Sequence, residues 1–236
     1  MSEYSDFPDA AKALPRVASS GGIDLERVLT LRPDLAVAWR LEATSRTLDR
    51  LQSLGIPLFY SEPHRLAEIP SAIEALGVLA GTEAQAQAQA ARLRAELQQL
   101  QAAYRDRRPI DVFYQISERP LMTLNGRHFV SDALTMCGAR NVFANAPIIA
   151  PGVSIEQVLV ADPEAIIAAR VDTADRSWQK AWLKFASLRA VRQGNLLAVR
   201  GEEMHRHGPR AIPAARQLCG LLDEVRSKSV KAANPP

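Results

Sequence analysis

Apolar and polar positions along the chain follow two different periods. Short apolar runs recur as "DLAVAW", "IPLFYS", "DVFYQIS", "EAIIAA" and "NLLAV". Between them lie segments whose apolar residues return every three or four positions, the helical period. These are residues 44–55, 65–81 (with Pro70 near its start), 128–139 (ended by Gly138), 177–188 and 209–225. Strands alternating with helices predict α/β layers with mostly parallel sheets. Apolar runs that follow a Pro turn read as strands buried on both faces.

One segment departs from this rhythm. From Thr82 to Arg108 there is no Gly or Pro, and no β-branched residue after Thr82 itself. Ala, Gln, Leu, Arg and Glu are strong helix formers. Leu93, Leu97, Leu100 and Tyr104 make one apolar stripe. Thr82 is the expected N-cap, and a helix of ~26 residues would be roughly 39 Å long.

A second feature is a repeat. "DLERVLTLRPDLAVAWR", Asp24 to Arg40, returns 130 positions later as "SIEQVLVADPEAIIAAR", Ser154 to Arg170. Six of 17 positions are identical: Glu26/Glu156, Val28/Val158, Leu29/Leu159, Pro33/Pro163, Ala38/Ala168 and Arg40/Arg170. Asp24 and Ser154 are good N-caps. Each glutamate falls in a first helical turn, where the helix dipole favours a carboxylate. Pro33 and Pro163 cannot continue the helix, and a buried strand follows each.

Together these patterns predict an α/β chain of two similar lobes joined by one long rigid helix. The N-terminal lobe is expected over residues 1–81, the helix over 82–108, the C-terminal lobe over 109–226 and a disordered tail over 227–236. A ligand cleft is expected between the lobes, since interdomain clefts are favoured binding sites. Equivalent acids, one per lobe, would suit a two-fold symmetric partner carrying basic residues.

Composition narrows the function. The apolar share of 47% and charged share of 23% are those of an ordinary globular protein. Net charge is +3 and the basic residues are scattered, which argues against nucleic-acid binding. No apolar run reaches the ~18 residues needed to span a bilayer. The start, "MSEYSDFPDAAKALP", lacks a secretory h-region and taken literally implies the cytoplasm. Cys137 and Cys219 sit in apolar, helix-like contexts and read either as buried thiols or as one disulfide.

Enzyme motifs are missing: there is no Gly-rich phosphate loop, G-x-S-x-G or H-E-x-x-H. His205 and His207, beside Glu202 and Glu203, read either as a metal site or as a solvated polar loop. His64 and His128 look isolated. On this reading a metal-dependent enzyme is the least favoured class.

Several stretches, in this order, resemble the periplasmic cobalamin-binding proteins of ABC importers, a substrate-binding class with a single interlobe helix. They are "YSDFP", "GIDLERVLTLRPDLAVAWR", "LDRLQSLGIPLF", "CGARNVF", "VSIEQVLVADPEAII" and "PRAIPAARQLC". The resemblance covers Tyr4 to about Val225. It implies a non-enzymatic protein, monomeric and periplasmic, that captures cobalamin or a related corrinoid and delivers it to a permease dimer. Glu26 and Glu156 match the glutamates that dock on permease arginines. Cys137 and Cys219 match a disulfide pair. Tyr4 and Arg206 match cleft residues, and Glu202 stands where the family has an aspartate. No cofactor is implied besides the ligand.

The chain departs from that pattern in two ways. Ser20, Met122 and Ala150 occupy positions of cleft aromatics, which leaves haem or a ferric siderophore as the alternative ligand. Tyr114, Gln115 or Trp39 would then have to compensate, and for haem His205, His207 or Tyr4 would be the axial ligand. Family members also carry a signal peptide, a strand and a helix before the position of Tyr4. The resemblance therefore implies that the first strand and helix of the N-terminal lobe are missing here, the favoured cause being a start assigned too far downstream. A sheet edge would be exposed as a result.

Overall fold

A computed structural model describes residues 1–39 and 42–233. Arg40, the partner of Arg170 in the sequence repeat, lies outside them, as do residues 234–236 of the expected tail. The chain divides into two compact units, Met1–Glu62 and Pro63–Pro236.

The first unit contains β1 (Ala18–Ser19), β2 (Gly22–Ile23), α1 (Leu25–Leu31), β3 (Ala36–Ala38), α2 (Glu42–Ser53) and β4 (Leu58–Tyr60). β1 and β2 form an antiparallel hairpin, while β3 and β4 pair in parallel. Val28, Leu48, Leu51 and Ile56 are its buried centre. Against this sheet lies an apolar cavity of about 780 Å³, lined among others by Val17, Val28, Val37, Trp39 and Leu48.

The second unit begins with α3 (Ile69–Ala80) and α4 (Glu83–Tyr104). It continues with β5 (Ile110–Gln115), β6 (Ser117–Glu118), β7 (Leu121–Met122), α5 (Phe129–Met136) and β8 (Ala139–Asn141). α6 (Ile155–Ala161), β9 (Ala165–Arg170), α7 (Gln179–Trp182) and α8 (Arg189–Arg192) follow. β10 (Leu196–Arg200), α9 (Gly201–Met204) and α10 (Ala211–Ala233) complete it. Its main sheet is parallel throughout, in the order β10-β9-β5-β8.

Both faces of that sheet are buried, as the apolar strand runs require. Val112 and Tyr114 of β5 and Ile167 of β9 join one core with α4, α5 and α10. Phe113, Ile166 and Ala168 point the other way, onto Trp178, Trp182 and Leu188. Each large side chain so buried contributes roughly 1.5–3 kcal/mol before entropy is counted.

Four details differ from the sequence reading. The compact units divide at Glu62 rather than residue 81, because α3 packs along α4 inside the second unit. α4 ends at Tyr104, short of Arg108: the Arg107 amide closes a short turn on the Tyr104 carbonyl, and Pro109 keeps Arg108 out of the helix. Thr82 is its N-cap residue but makes no side-chain cap bond. Residues 177–188 are not one helix: α7 has four residues, and Leu188 and Phe185 close further short turns. Those three-residue turns keep Trp182, Phe185 and Leu188 on the sheet at the same spacing a helix would.

The tail also differs. α10 continues to Ala233, so residues 227–233 are helical. Ser227 donates to the Asp223 carbonyl and Lys228 to the Gly194 carbonyl, which ties this extension down.

Candidate ligand-binding site

The repeated unit folds alike in both copies. α1 and α6 are each seven residues long. Asp24 accepts a hydrogen bond from the Arg27 amide at 2.9 Å, and Ser154 accepts one from the Gln157 amide at 3.2 Å. Ser154 and Gln157 complete a capping box. Glu26 and Glu156 stand second in their helices, on side chains that reach solvent. The Glu156 carboxyl is held below its ordinary range by a hydrogen bond from Ser154 and by the helix backbone.

In the first unit, Tyr4 and Ser20 come from segments that the structure brings together. The Glu3 amide donates to the Ala18 carbonyl at 2.7 Å, and the Glu3 carboxylate accepts from the Ser20 amide at 2.7 Å. Tyr4, next in the chain, is 58% exposed. A side chain so presented is available to a flat ligand. Trp39 lines the apolar cavity described above.

In the second unit, loops at the carboxyl ends of the strands converge, the usual ligand side of an open α/β sheet. β6 and β7 form a hairpin in which Met122 pairs with Ser117 and bridges to Gly152. Ala150 is half-buried and packs on the main core. Gln115 at the end of β5 accepts from Trp182 Nε1 at 2.8 Å. Tyr114 is fully buried, so it cannot offer a ring face to a ligand in place of the missing aromatics.

Glu202 lies in α9 and Arg206 in the loop between α9 and α10. Glu202 is exposed and Arg206 half-buried. The flanking histidines are not a solvated loop. His205 Nε2 lies 3.1 Å from the Tyr114 hydroxyl. His207 sits 4.3 Å from the Phe129 ring and 5.6 Å from His128, measured between ring centroids. His128, expected to be isolated, is therefore at the centre of the cluster. It also caps α5, accepting from the Val130 amide through Nδ1 at 3.2 Å. Burial pushes His128 and His205 down to about 4 and His207 to about 3, so all three are neutral at neutral pH. Among the described residues, no three His, Cys, Asp or Glu side chains are placed to hold a metal ion. Glu203 instead pairs with Arg200 at 3.1 Å.

Cys137 and Cys219 form a disulfide that ties the end of α5 to α10, with Cα atoms 4.8 Å apart and both residues fully buried. Sequence reasoning missed Arg226, also on α10. Its guanidinium donates to the carbonyls of Cys137 at 2.6 Å, Gly138 at 3.0 Å and Arg108 at 2.9 Å.

Two compact units, the second built on a parallel sheet with loops gathered at its carboxyl edge, fit the class of solute-binding proteins. The chain belongs to the periplasmic binding protein family, whose pattern matches residues 1–200. It is 38% identical over 222 residues to the vitamin B12-binding protein of Vibrio cholerae, covering 94% of this chain and 80% of that relative. The crystal structure of the periplasmic vitamin B12 binding protein BtuF of Vibrio cholerae superposes with a TM-score of 0.88 at 37% identity, covering 95% of this chain and 88% of that one. The periplasmic haem-binding protein BhuT shares the fold, with a TM-score of 0.82 at 20% identity over 93% of this chain and 86% of that one.

Proposed function

We propose that this chain is a periplasmic substrate-binding protein that captures cobalamin or a related corrinoid and delivers it, as a monomer and without a chemical step, to an ABC transporter permease. The observation that carries this reading is the 38% identity over 94% of the chain to a vitamin B12-binding protein. Support comes from the two capped glutamates, which give a symmetric permease dimer one acidic handle per unit. Tyr4 and Ser20 in the first unit, and Met122, Ala150, Glu202 and Arg206 in the second, are the proposed ligand contacts. The aromatic and thioether groups take apolar ring surface, and the charged pair orients the polar side chains of the corrinoid.

The test is a titration with cyanocobalamin followed by intrinsic fluorescence of Trp39, Trp178 and Trp182, with hemin titrated in parallel. Saturable submicromolar quenching by cyanocobalamin is the expected result. Saturation by hemin alone would move the assignment to a haem carrier of the same fold.

A further inference from the structure

The segment that follows β8, residues 144–153, is clamped along residues 121–127. The Asn125 amide donates to the Ile149 carbonyl at 2.8 Å, the Gly126 amide to the Ala144 carbonyl at 2.8 Å, and the Thr123 amide to the Pro151 carbonyl at 3.1 Å. The Asn125 side chain donates to the Ala146 carbonyl at 2.9 Å and Arg127 Nη2 to the Pro147 carbonyl at 2.6 Å. The backbone is thus fixed on both sides of Ile148 and Ile149. Yet these side chains are 58% and 49% exposed.

A single exposed apolar residue needs no explanation. Two consecutive isoleucines on a pinned loop are different, because the fixed backbone and stiff β-branched side chains make a preformed apolar surface. Prolines 147 and 151 flank it, and Ala150 and the Met122–Gly152 bridge adjoin it. The surface also lies at the carboxyl edge of a parallel sheet, where open α/β folds take their ligands. A flat, largely apolar macrocycle fits such a surface at little entropic cost, since little side-chain freedom is left to lose on binding.

We infer that Ile148 and Ile149 form an apolar platform for one face of the corrin ring, supplying contact area that Met122 and Ala150 provide without an aromatic ring. This rests on the corrinoid reading above. Neither isoleucine belongs to the ligand contacts expected from the sequence.

The experiment compares cyanocobalamin affinity of the wild-type chain, Ile148→Ser/Ile149→Ser, and Val160→Ser. Val160 is 88% exposed on α6 and serves as the control for removing exposed apolar surface. The expected result is wild-type affinity for Val160→Ser and a loss of about tenfold to a hundredfold for the double variant, at an unchanged thermal midpoint. Methyl NMR of isoleucine-labelled wild-type protein gives an answer independent of the variant's folding: the δ1 methyls of Ile148 and Ile149 should shift on ligand addition. Wild-type binding with unshifted methyls, or with full affinity in a folded double variant, would overturn the platform and leave the corrinoid reading standing. No cyanocobalamin binding by the wild-type chain would overturn both.

Discussion

Glu26 and Glu156 are the second residues of two helices that begin and end alike. Each helix is seven residues long, opens on a side-chain cap and stops at a non-glycine residue in the left-handed region, Arg32 at φ 47° and Asp162 at φ 40°. A proline follows each stop. Such matched geometry holds both carboxylates in the same frame of their own unit. Stability alone does not require it, since a first-turn acid contributes only about 0.3–1 kcal/mol. We expect Glu26→Gln/Glu156→Gln to bind ligand within about twofold of wild type, one RT or less in free energy, while losing measurable association with the reconstituted permease. Lost ligand affinity with intact docking would refute the assigned role.

The disulfide predicts a thermal consequence. Cys137 and Cys219 are 82 positions apart and join α5 to α10 through the main core. Opening a loop of that size costs roughly 2–5 kcal/mol. Reduction, or Cys137→Ser/Cys219→Ser, should lower the thermal midpoint by several degrees in calorimetry. Arg226 holds the carbonyls of Cys137 and Gly138 at the same junction, so the helix end should survive and the drop should stay short of complete unfolding.

The histidine cluster predicts a pH dependence of known sign. In the folded chain His128 and His205 titrate at about 4 and His207 at about 3, chiefly because burial disfavours the imidazolium. In the unfolded chain they titrate near the ordinary value of about 6.5. Below that value the unfolded state takes up protons that the folded state refuses. Stability present in full above about pH 6.5 is therefore lost progressively as the pH falls towards 4. Urea denaturation at about pH 7.5 and about pH 5 should show the loss. His128→Asn retains a good N-cap for α5 but removes one titrating ring. It should reduce the difference between the two curves.

These relationships differ in how far sequence exposes them. The repeat was legible because capping and termination are local: Asp24, Ser154, Pro33 and Pro163 act within a few residues of themselves. The α4 stripe was legible at Leu93, Leu97 and Leu100, all buried, but it continues to Ala90 and Ala86, whose small side chains gave no apolar signal. The β6–β7 hairpin was invisible because two-residue strands carry no period. The histidine cluster joins position 128 to positions 205 and 207, a contact made only by the sheet. Arg226 had a usable signal: it falls on the stripe of Ala215, Leu218 and Leu222, all buried, where a charged residue needs partners. Its ion-pair partner Asp223 is only three positions away, but the carbonyls it holds are 88 to 118 positions away, which no local pattern reveals.

The contact between α3 and α4 gives a prediction in which two effects oppose each other. Gly77 lies inside α3, where glycine costs about 0.8–1 kcal/mol relative to alanine. On propensity alone Gly77→Ala should stabilise the protein. The structure reverses the sign. A Cβ at Gly77 would collide with the Cβ of Ala86 and approach the Thr82 carbonyl at 3.4 Å. Both positions are buried, so the helices must move apart to admit the methyl group. Overpacking of this kind costs about 1–3 kcal/mol, more than the propensity gain. Gly77→Ala should therefore be neutral to about 2 kcal/mol destabilising in urea unfolding. Gly77→Ala combined with Ala86→Gly should recover part of the loss, because the second change removes the colliding methyl. A clear gain in stability for Gly77→Ala alone would mean that α3 and α4 do not pack this closely.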